Sequence, residues 1–168
     1  LVILTNNELI GVRDPFGIRP LVIGKLNKSY VLASETCGLD IVGANFVREV
    51  ENGEIVVINK NGIKSIKPFP QKKVRPCIFE YIYFSRPDSI LENKSVYEHR
   101  KNLGKELAKE SFVQGDLIVP VPDSGVPAAI GYAEHLKKSI EFGIIRNHYV
   151  GRTFIEPSKK IRSFGVKL

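Results

Sequence analysis

At 168 residues, 43% hydrophobic and 26% charged, the chain is built like a folded globular protein and is long enough for one full domain or two incomplete ones. No apolar run approaches the length of a membrane span and no signal-peptide pattern is present, which sets aside a helical membrane protein. A net charge of +7 and a pI near 9.4 point to an anionic ligand, either a phosphorylated small molecule or nucleic acid.

Two cysteines, Cys37 and Cys77, fit a reducing cytoplasm better than a disulfide framework. They lack Cys-x-x-Cys spacing, so inert thiols are the default. The chain has no Met, opens inside the apolar run Leu1–Leu4 and stops at Leu168 without a terminal signal, so a piece of a longer protein is expected.

The first part reads as strands at Leu9–Val12, Leu21–Gly24, Tyr30–Ala33, Glu54–Asn59 and Ile63–Lys67, with a short helix over Thr36–Val42. Asn27-Lys28 and Lys60-Asn61-Gly62 predict hairpin turns, the second through its Asn-Gly pair. Arg13–Leu21 is a charged turn in which Arg13 and Asp14 can pair locally, and Ser34–Cys37 can be a strand end and a helix cap. Lys67–Pro76, with Pro68, Pro70 and Pro76 around Gln71-Lys72-Lys73, changes character and reads as a linker.

Beyond it, Cys77–Phe84 is an aromatic-rich run expected to be extended. Ser95-Val96-Tyr97-Glu98 is a capping-box pattern opening a helix with apolar positions Val96, Leu103, Leu107 and Ala108 that ends near Glu110. Leu117–Val121 predicts a buried strand, Pro122–Gly125 a turn, and Val126, Ala129, Ile130, Ala133 and Leu136 an amphipathic helix with Pro127 in its first turn. Glu141–Ile145 is apolar enough for the next strand. The alternation of helix and strand predicts a parallel sheet, with ligands past the carboxyl ends of its strands.

The turn and the segment after Ile145 both lie at that edge. Asp123 or Ser124 can cap the helix, and the free N–H groups and positive dipole end at a helix N-terminus suit a phosphate. An ordinary capped βα unit explains the same residues. The segment Arg146–Lys167 holds six basic residues (Arg146, Arg152, Lys159, Lys160, Arg162, Lys167) against Glu156, and so supplies +5 of the +7. An Arg fork suits phosphate, and a polar, Gly-containing loop at such an edge suits a lid; a basic surface loop is the plain reading. His99 and His135, expected on exposed helix faces, and His148 have no metal spacing.

Five stretches, Arg13–Leu21, Ala33–Asp40, Phe79–Ser89, Val121–Gly125 and Asn147–Ile155, resemble the amidophosphoribosyltransferases (glutamine phosphoribosylpyrophosphate amidotransferases), in the family's order. Arg-Asp-Pro-x-Gly-Ile-Arg-Pro-Leu is shared with other N-terminal-nucleophile amidotransferases. Phe-Glu-Tyr-Ile-Tyr-Phe-Ser-Arg-Pro-Asp-Ser and Asn-His-Tyr-Val-Gly-Arg-Thr-Phe-Ile are far more specific. The resemblance implies an α+β / α/β chain: the end of an αββα glutaminase sandwich over residues 1–67, a linker over 68–76, and the start of a phosphoribosyltransferase-type parallel sheet over 77–168.

It further implies that ammonia from glutamine displaces pyrophosphate from phosphoribosylpyrophosphate, giving 5-phosphoribosylamine in the first step of purine synthesis. Purine nucleotides would act as feedback inhibitors of a cytoplasmic homo-oligomer that binds neither membrane nor nucleic acid. Substrate-binding residues carried over are Asp123, Ser124, Tyr149 and Arg152. Ser124 matches a position associated with Mg2+. Cys77 matches the first ligand of a [4Fe–4S] cluster in one branch of the family, against the reading of a structural thiol. The catalytic N-terminal Cys and the acidic phosphoribosylpyrophosphate loop are absent from the sequence, so no turnover and no bound metal are expected of this stretch alone. Two further readings are a basic nucleic-acid-binding module and a different amidotransferase with the same first half.

Overall fold

The apolar and β-branched residues of the first third of the chain build two antiparallel sheets. In the computed structural model, which describes every residue except Gln71, Arg152 and Leu168, these sheets belong to the first of two units, Leu1–Asn102 and Leu103–Leu168. In chain order the first unit begins β1 (Val2–Leu4), β2 (Leu9–Val12), β3 (Val22–Leu26), β4 (Ser29–Ala33), α1 (Thr36–Val42), β5 (Asn45–Glu49), β6 (Ile55–Asn59) and β7 (Gly62–Ile66). The strand orders are β1-β2-β6-β7 and β4-β3-β5.

Side-chain alternation along β3 explains the layering. Ile23 joins Leu21, Val50 and Val56 in a cluster shared with β6 of the other sheet, while its neighbour Val22 joins Leu39 and Ala44 on the α1 side. The result is sheet, sheet, helix: the ββα portion of an αββα sandwich. Ile23, Val22, Val50 and Val56 are wholly buried, and each such side chain contributes about 1.5–3 kcal/mol. The expected helix matches α1, and both expected hairpins form, β3–β4 around Asn27-Lys28 and β6–β7 before Gly62. The sequence reading missed β5, which pairs with β3 through a register shift at Ile23/Gly24 that interrupts any clean alternation.

The unit also contains an ion pair between the buried Glu54 and the half-buried Arg48. Arg48 donates from Nη1 and Nη2 to Glu54 Oε2 and Oε1 at 2.8 and 2.6 Å, and the Glu51 N–H donates to Glu54 Oε2 at 2.7 Å. Arg13 does not pair with Asp14. Its Nη1 donates to the Val50 carbonyl at 2.8 Å and lies 3.3 Å from Glu49 Oε2, while Asp14 accepts from the Phe16 and Ile18 amides at 2.9 Å each. Asp14 closes its own turn, which leaves Arg13 to the core.

Residues 77–84 are not extended. Glu80–Phe84 forms a π-helical turn, closed by Ser85 N–H donating to Glu80 O at 3.1 Å. The cause lies about twenty residues on. Arg100, 3% exposed, donates from Nε to Tyr81 O at 2.6 Å and from Nη2 to Ser85 O at 2.7 Å, collecting carbonyls that a strand would point elsewhere. A small hairpin follows, β8 (Ile90–Leu91) with β9 (Lys94–Ser95), turned by Glu92 and Asn93 at φ 49° and 60°. Then α2 (Val96–Glu110) opens with half of the expected capping box, Glu98 N–H donating to Ser95 Oγ at 3.3 Å. His99 packs on the Tyr81 ring at a centroid distance of 4.5 Å, so it is half-buried, whereas His135 is exposed as expected.

In the second unit, β10 (Leu117–Ile118), α3 (Val126–Leu136) and β11 (Ser139–Ile140) form a strand–helix–strand unit with the two strands parallel. It is the parallel arrangement expected from the alternation of helix and strand. Both strands are shorter than expected: Val119–Val121 lies outside β10, and 141–145 is not a strand, although Glu141 N–H still donates to Ile118 O at 3.0 Å. A Cβ on Gly104 would sit 1.9 Å from the Ala128 carbonyl oxygen, so α2 and α3 approach backbone to backbone at a position only Gly allows. Ala108 is buried as expected, but Leu103 and Leu107 are half exposed or nearly so. A 3-10 turn (Thr153–Ile155) and α4 (Lys159–Lys167) end the unit.

Candidate functional site

Strand β10, an extended tail and the turn 122–125 deliver the chain to the N-terminus of α3. The Pro122–Asp123 peptide is cis. Gly125 N–H donates to Val121 O at 3.1 Å, and a Cβ on Gly125 would lie 2.6 Å from that oxygen. The tight turn therefore demands Gly. Gly125 is also the N-cap residue, in a helical conformation that brings no side-chain cap, so neither Asp123 nor Ser124 caps α3. Asp123 instead supplies its backbone carbonyl to Val126 N–H at 3.3 Å, and its carboxylate is used elsewhere. Pro127 is buried in the first turn, as its missing donor predicts.

The Asp123 carboxylate accepts from Arg146 Nη1 at 2.5 Å. This contact brings together the two stretches that the sequence placed at the ligand edge, one after β10 and one after β11. Both side chains are more than half exposed, so the pair is a surface contact with little hold on the fold. Ser124 is exposed in the same turn. The Asn147 side chain accepts from Tyr149 N–H at 2.9 Å and makes a local turn, which leaves the Tyr149 ring 99% exposed. The structure thus does not bring Tyr149 onto the 122–125 turn. Arg152 lies outside the described residues.

For Mg2+, the turn offers one hydroxyl, Ser124, and one carboxylate already paired with a guanidinium. That donor set does not satisfy an oxygen octahedron. Among the described residues no group of three or more His, Cys, Asp or Glu is arranged to hold a metal. Cys77 is half-buried with its N–H donating to Ile18 O at 2.9 Å. Cys37 is buried, and desolvation pushes its thiol above the usual range, away from reactive thiolate.

A second set of polar residues was invisible to pattern reading. Glu35 Oε2 accepts from the Arg86 N–H and the Ser89 hydroxyl, both at 2.8 Å. Thr36 Oγ1 accepts from Ile90 N–H at 2.8 Å, and Glu49 Oε1 from Glu92 N–H at 2.6 Å. Arg19 lies with its Nε 2.6 Å from Glu80 and its guanidinium 4.7 Å over the Phe84 ring. The family-like stretches 13–21 and 33–40 therefore each contact the stretch 79–89 within the first unit. Their common signal in the sequence was charge at positions flanked by turns, which has no period to read.

No family model matches the chain. Its full length is 55% identical to the amidophosphoribosyltransferase of Rhizobium etli, 35% of which it spans, and 53% identical to the chloroplastic amidophosphoribosyltransferase of Glycine max, 30% of which it spans. The glutamine phosphoribosylpyrophosphate amidotransferase from B. subtilis, solved in complex with ADP and GMP, matches 98% of this chain with 36% of its own at a TM-score of 0.86 and 51% identity. The chain thus spans about a third of the length of the curated relatives it matches. Identity of 51–55% over 98–100% of the chain, joined to a shared fold, places the chain in the amidophosphoribosyltransferase family.

Proposed function

We propose that the chain is part of an enzyme that forms 5-phosphoribosylamine from phosphoribosylpyrophosphate and glutamine at the first step of purine synthesis. The observation that carries this reading is the match, over 98–100% of the chain, to relatives named as amidophosphoribosyltransferases. Residues 1–67 belong to the glutaminase domain, 68–76 to a linker and 77–168 to the transferase domain. Ammonia released from glutamine attacks the ribose carbon, and pyrophosphate leaves.

In this reading the Pro122–Gly125 turn and the α3 N-terminus hold the ribose phosphate end of the substrate, because the positive end of the helix dipole favours an anion. Asp123 and Ser124 contact substrate from that turn. Tyr149 and Arg152 close over it, Arg152 holding the pyrophosphate as its charge develops. Mg2+ bound with phosphoribosylpyrophosphate would neutralise the pyrophosphate charge, and Ser124 would be the one hydroxyl this turn could offer it. ADP and GMP on the B. subtilis relative support purine nucleotides as feedback inhibitors here. The parent enzyme is a cytoplasmic homo-oligomer in this reading, and no helix among the described residues is long and apolar enough to cross a membrane. The stretch alone turns nothing over.

The test is a coupled assay on the parent enzyme. Glutamine- and phosphoribosylpyrophosphate-dependent formation of 5-phosphoribosylamine is expected, with Arg152→Ala severely reducing transfer while glutamine hydrolysis persists. A parent that binds no phosphoribosylpyrophosphate, or whose Arg152→Ala variant keeps full transfer, overturns the assignment or the role of Arg152 respectively.

A further inference from the structure

The charged turn and the π-helical turn enclose a cavity of about 20 Å³, lined among others by Arg13, Cys77, Glu80, Tyr81 and Leu91. Arg13 is 6% and Glu80 3% exposed, and each of these lining residues carries one buried atom without a hydrogen-bond partner, Arg13 Nε and Glu80 Oε1. Arg19 Nε approaches Glu80 Oε1 to 2.6 Å, yet no aligned N–H reaches that oxygen. The contact supplies charge without a hydrogen bond. The other polar atoms nearby are engaged: Tyr81 OH donates to Leu91 O at 3.0 Å, and Glu80 Oε2 accepts from Ser85 Oγ at 2.8 Å.

We propose that this cavity is a binding site for one water molecule, accepting from Arg13 Nε and donating to Glu80 Oε1. The size admits a single water, which needs about 10–15 Å³ measured the same way. The chemistry selects it further. A cation would face the Arg13 guanidinium and a bare anion the Glu80 carboxylate, whereas a neutral molecule with one heavy atom that both accepts and donates satisfies the two orphaned groups at once. The water joins the first family-like stretch to the third from inside, where direct contacts join them at the rim. The site is independent of the enzymatic reading.

A high-resolution crystal structure of the protein tests it, with a water cross-peak to the Arg13 Nε–H in solution as the second readout. The expected result is one density peak within hydrogen-bond distance of both atoms and a long-lived water signal at that proton. Density empty at the site, or either atom bonded directly to another protein group, overturns it. Glu80→Met removes the acceptor and is expected to lose the peak; a peak that persists unchanged counts against the assignment. Should that variant fail to fold, Glu80→Gln keeps a polar end group and is expected to retain the water, and its loss there overturns the site.

Discussion

Ser89 donates its hydroxyl proton to Glu35 at 2.8 Å across 54 residues of chain. The same carboxylate oxygen takes the Arg86 amide, and Ser89 is wholly buried. Replacing Glu35 by Ala orphans a buried hydroxyl, so we expect about 2 kcal/mol of destabilisation, read as a fall in urea midpoint at unchanged m-value. Glu35→Gln, which keeps an oxygen acceptor, should lose about half as much. Hydrogen exchange at the Arg86 amide should speed up in both; unchanged exchange would show that the contact does not hold in solution.

Glu54 gives the fold a defined acid limit. Burial favours its neutral form, but hydrogen bonds from Arg48, Ser65 and the Glu51 amide outweigh burial and hold its pKa at about 2 instead of 4.5. The folded value lies below the unfolded one, so the stabilisation is complete above about pH 4.5 and is lost as pH falls toward about 2. It amounts to about 3 kcal/mol. Glu54→Gln should flatten the pH dependence of stability across that window while lowering stability at neutral pH; a variant with the wild-type acid profile would contradict the role given to Glu54.

Arg100 is a buried cation without an ionic partner on its hydrogen bonds, and desolvation lowers its pKa from the ordinary Arg range. Arg100→Met keeps length and apolar contact but strands the Tyr81 and Ser85 carbonyls. A loss of about 3 kcal/mol follows, together with a change in the near-ultraviolet signal of Tyr81. Arg100→Lys should rescue only part, since one ammonium cannot reproduce the fork.

Gly104→Ala would drive a methyl into the Ala128 carbonyl of α3. The neighbour is backbone, so the helices must separate, at a cost of about 3 kcal/mol. Calorimetry checks this, and a Tm at or above wild type would mean that the two helices sit further apart than described.

Asp123→Asn separates stability from function. The pair with Arg146 is exposed, so the melting curve should move by less than about 1 kcal/mol. If the turn binds phosphoribosylpyrophosphate as proposed, a binding titration on the parent enzyme should nonetheless weaken several-fold. Equal affinity would remove Asp123 from the site.

Local elements were readable where one rule decided them. Helix α3 follows its Pro127 and apolar spacing, α2 its Ser95–Glu98 box, and β6–β7 its Asn-Gly turn. Strand β5 was not, because its pairing with β3 is set at a distance and breaks register midway. The 77–84 run misled because Phe, Tyr and Ile favour strands locally while a distant Arg dictates the turn. At the site, spacing placed the 122–125 turn and the 146–150 loop at one edge, and the Asp123–Arg146 contact joins them. Which side chain would meet which could not be read, since an exposed carboxylate and guanidinium carry no periodic signature. The Glu35 contacts were hidden for the same reason.

The π-helical turn at Glu80–Phe84 has no autonomy. Its carbonyls are gathered by a helix that follows it in the chain, so a peptide covering only 77–92 has nothing to wind around and should be coil. The motif Phe79–Ser89 is thus templated from outside itself, and a change that loosens α2 is expected to register there.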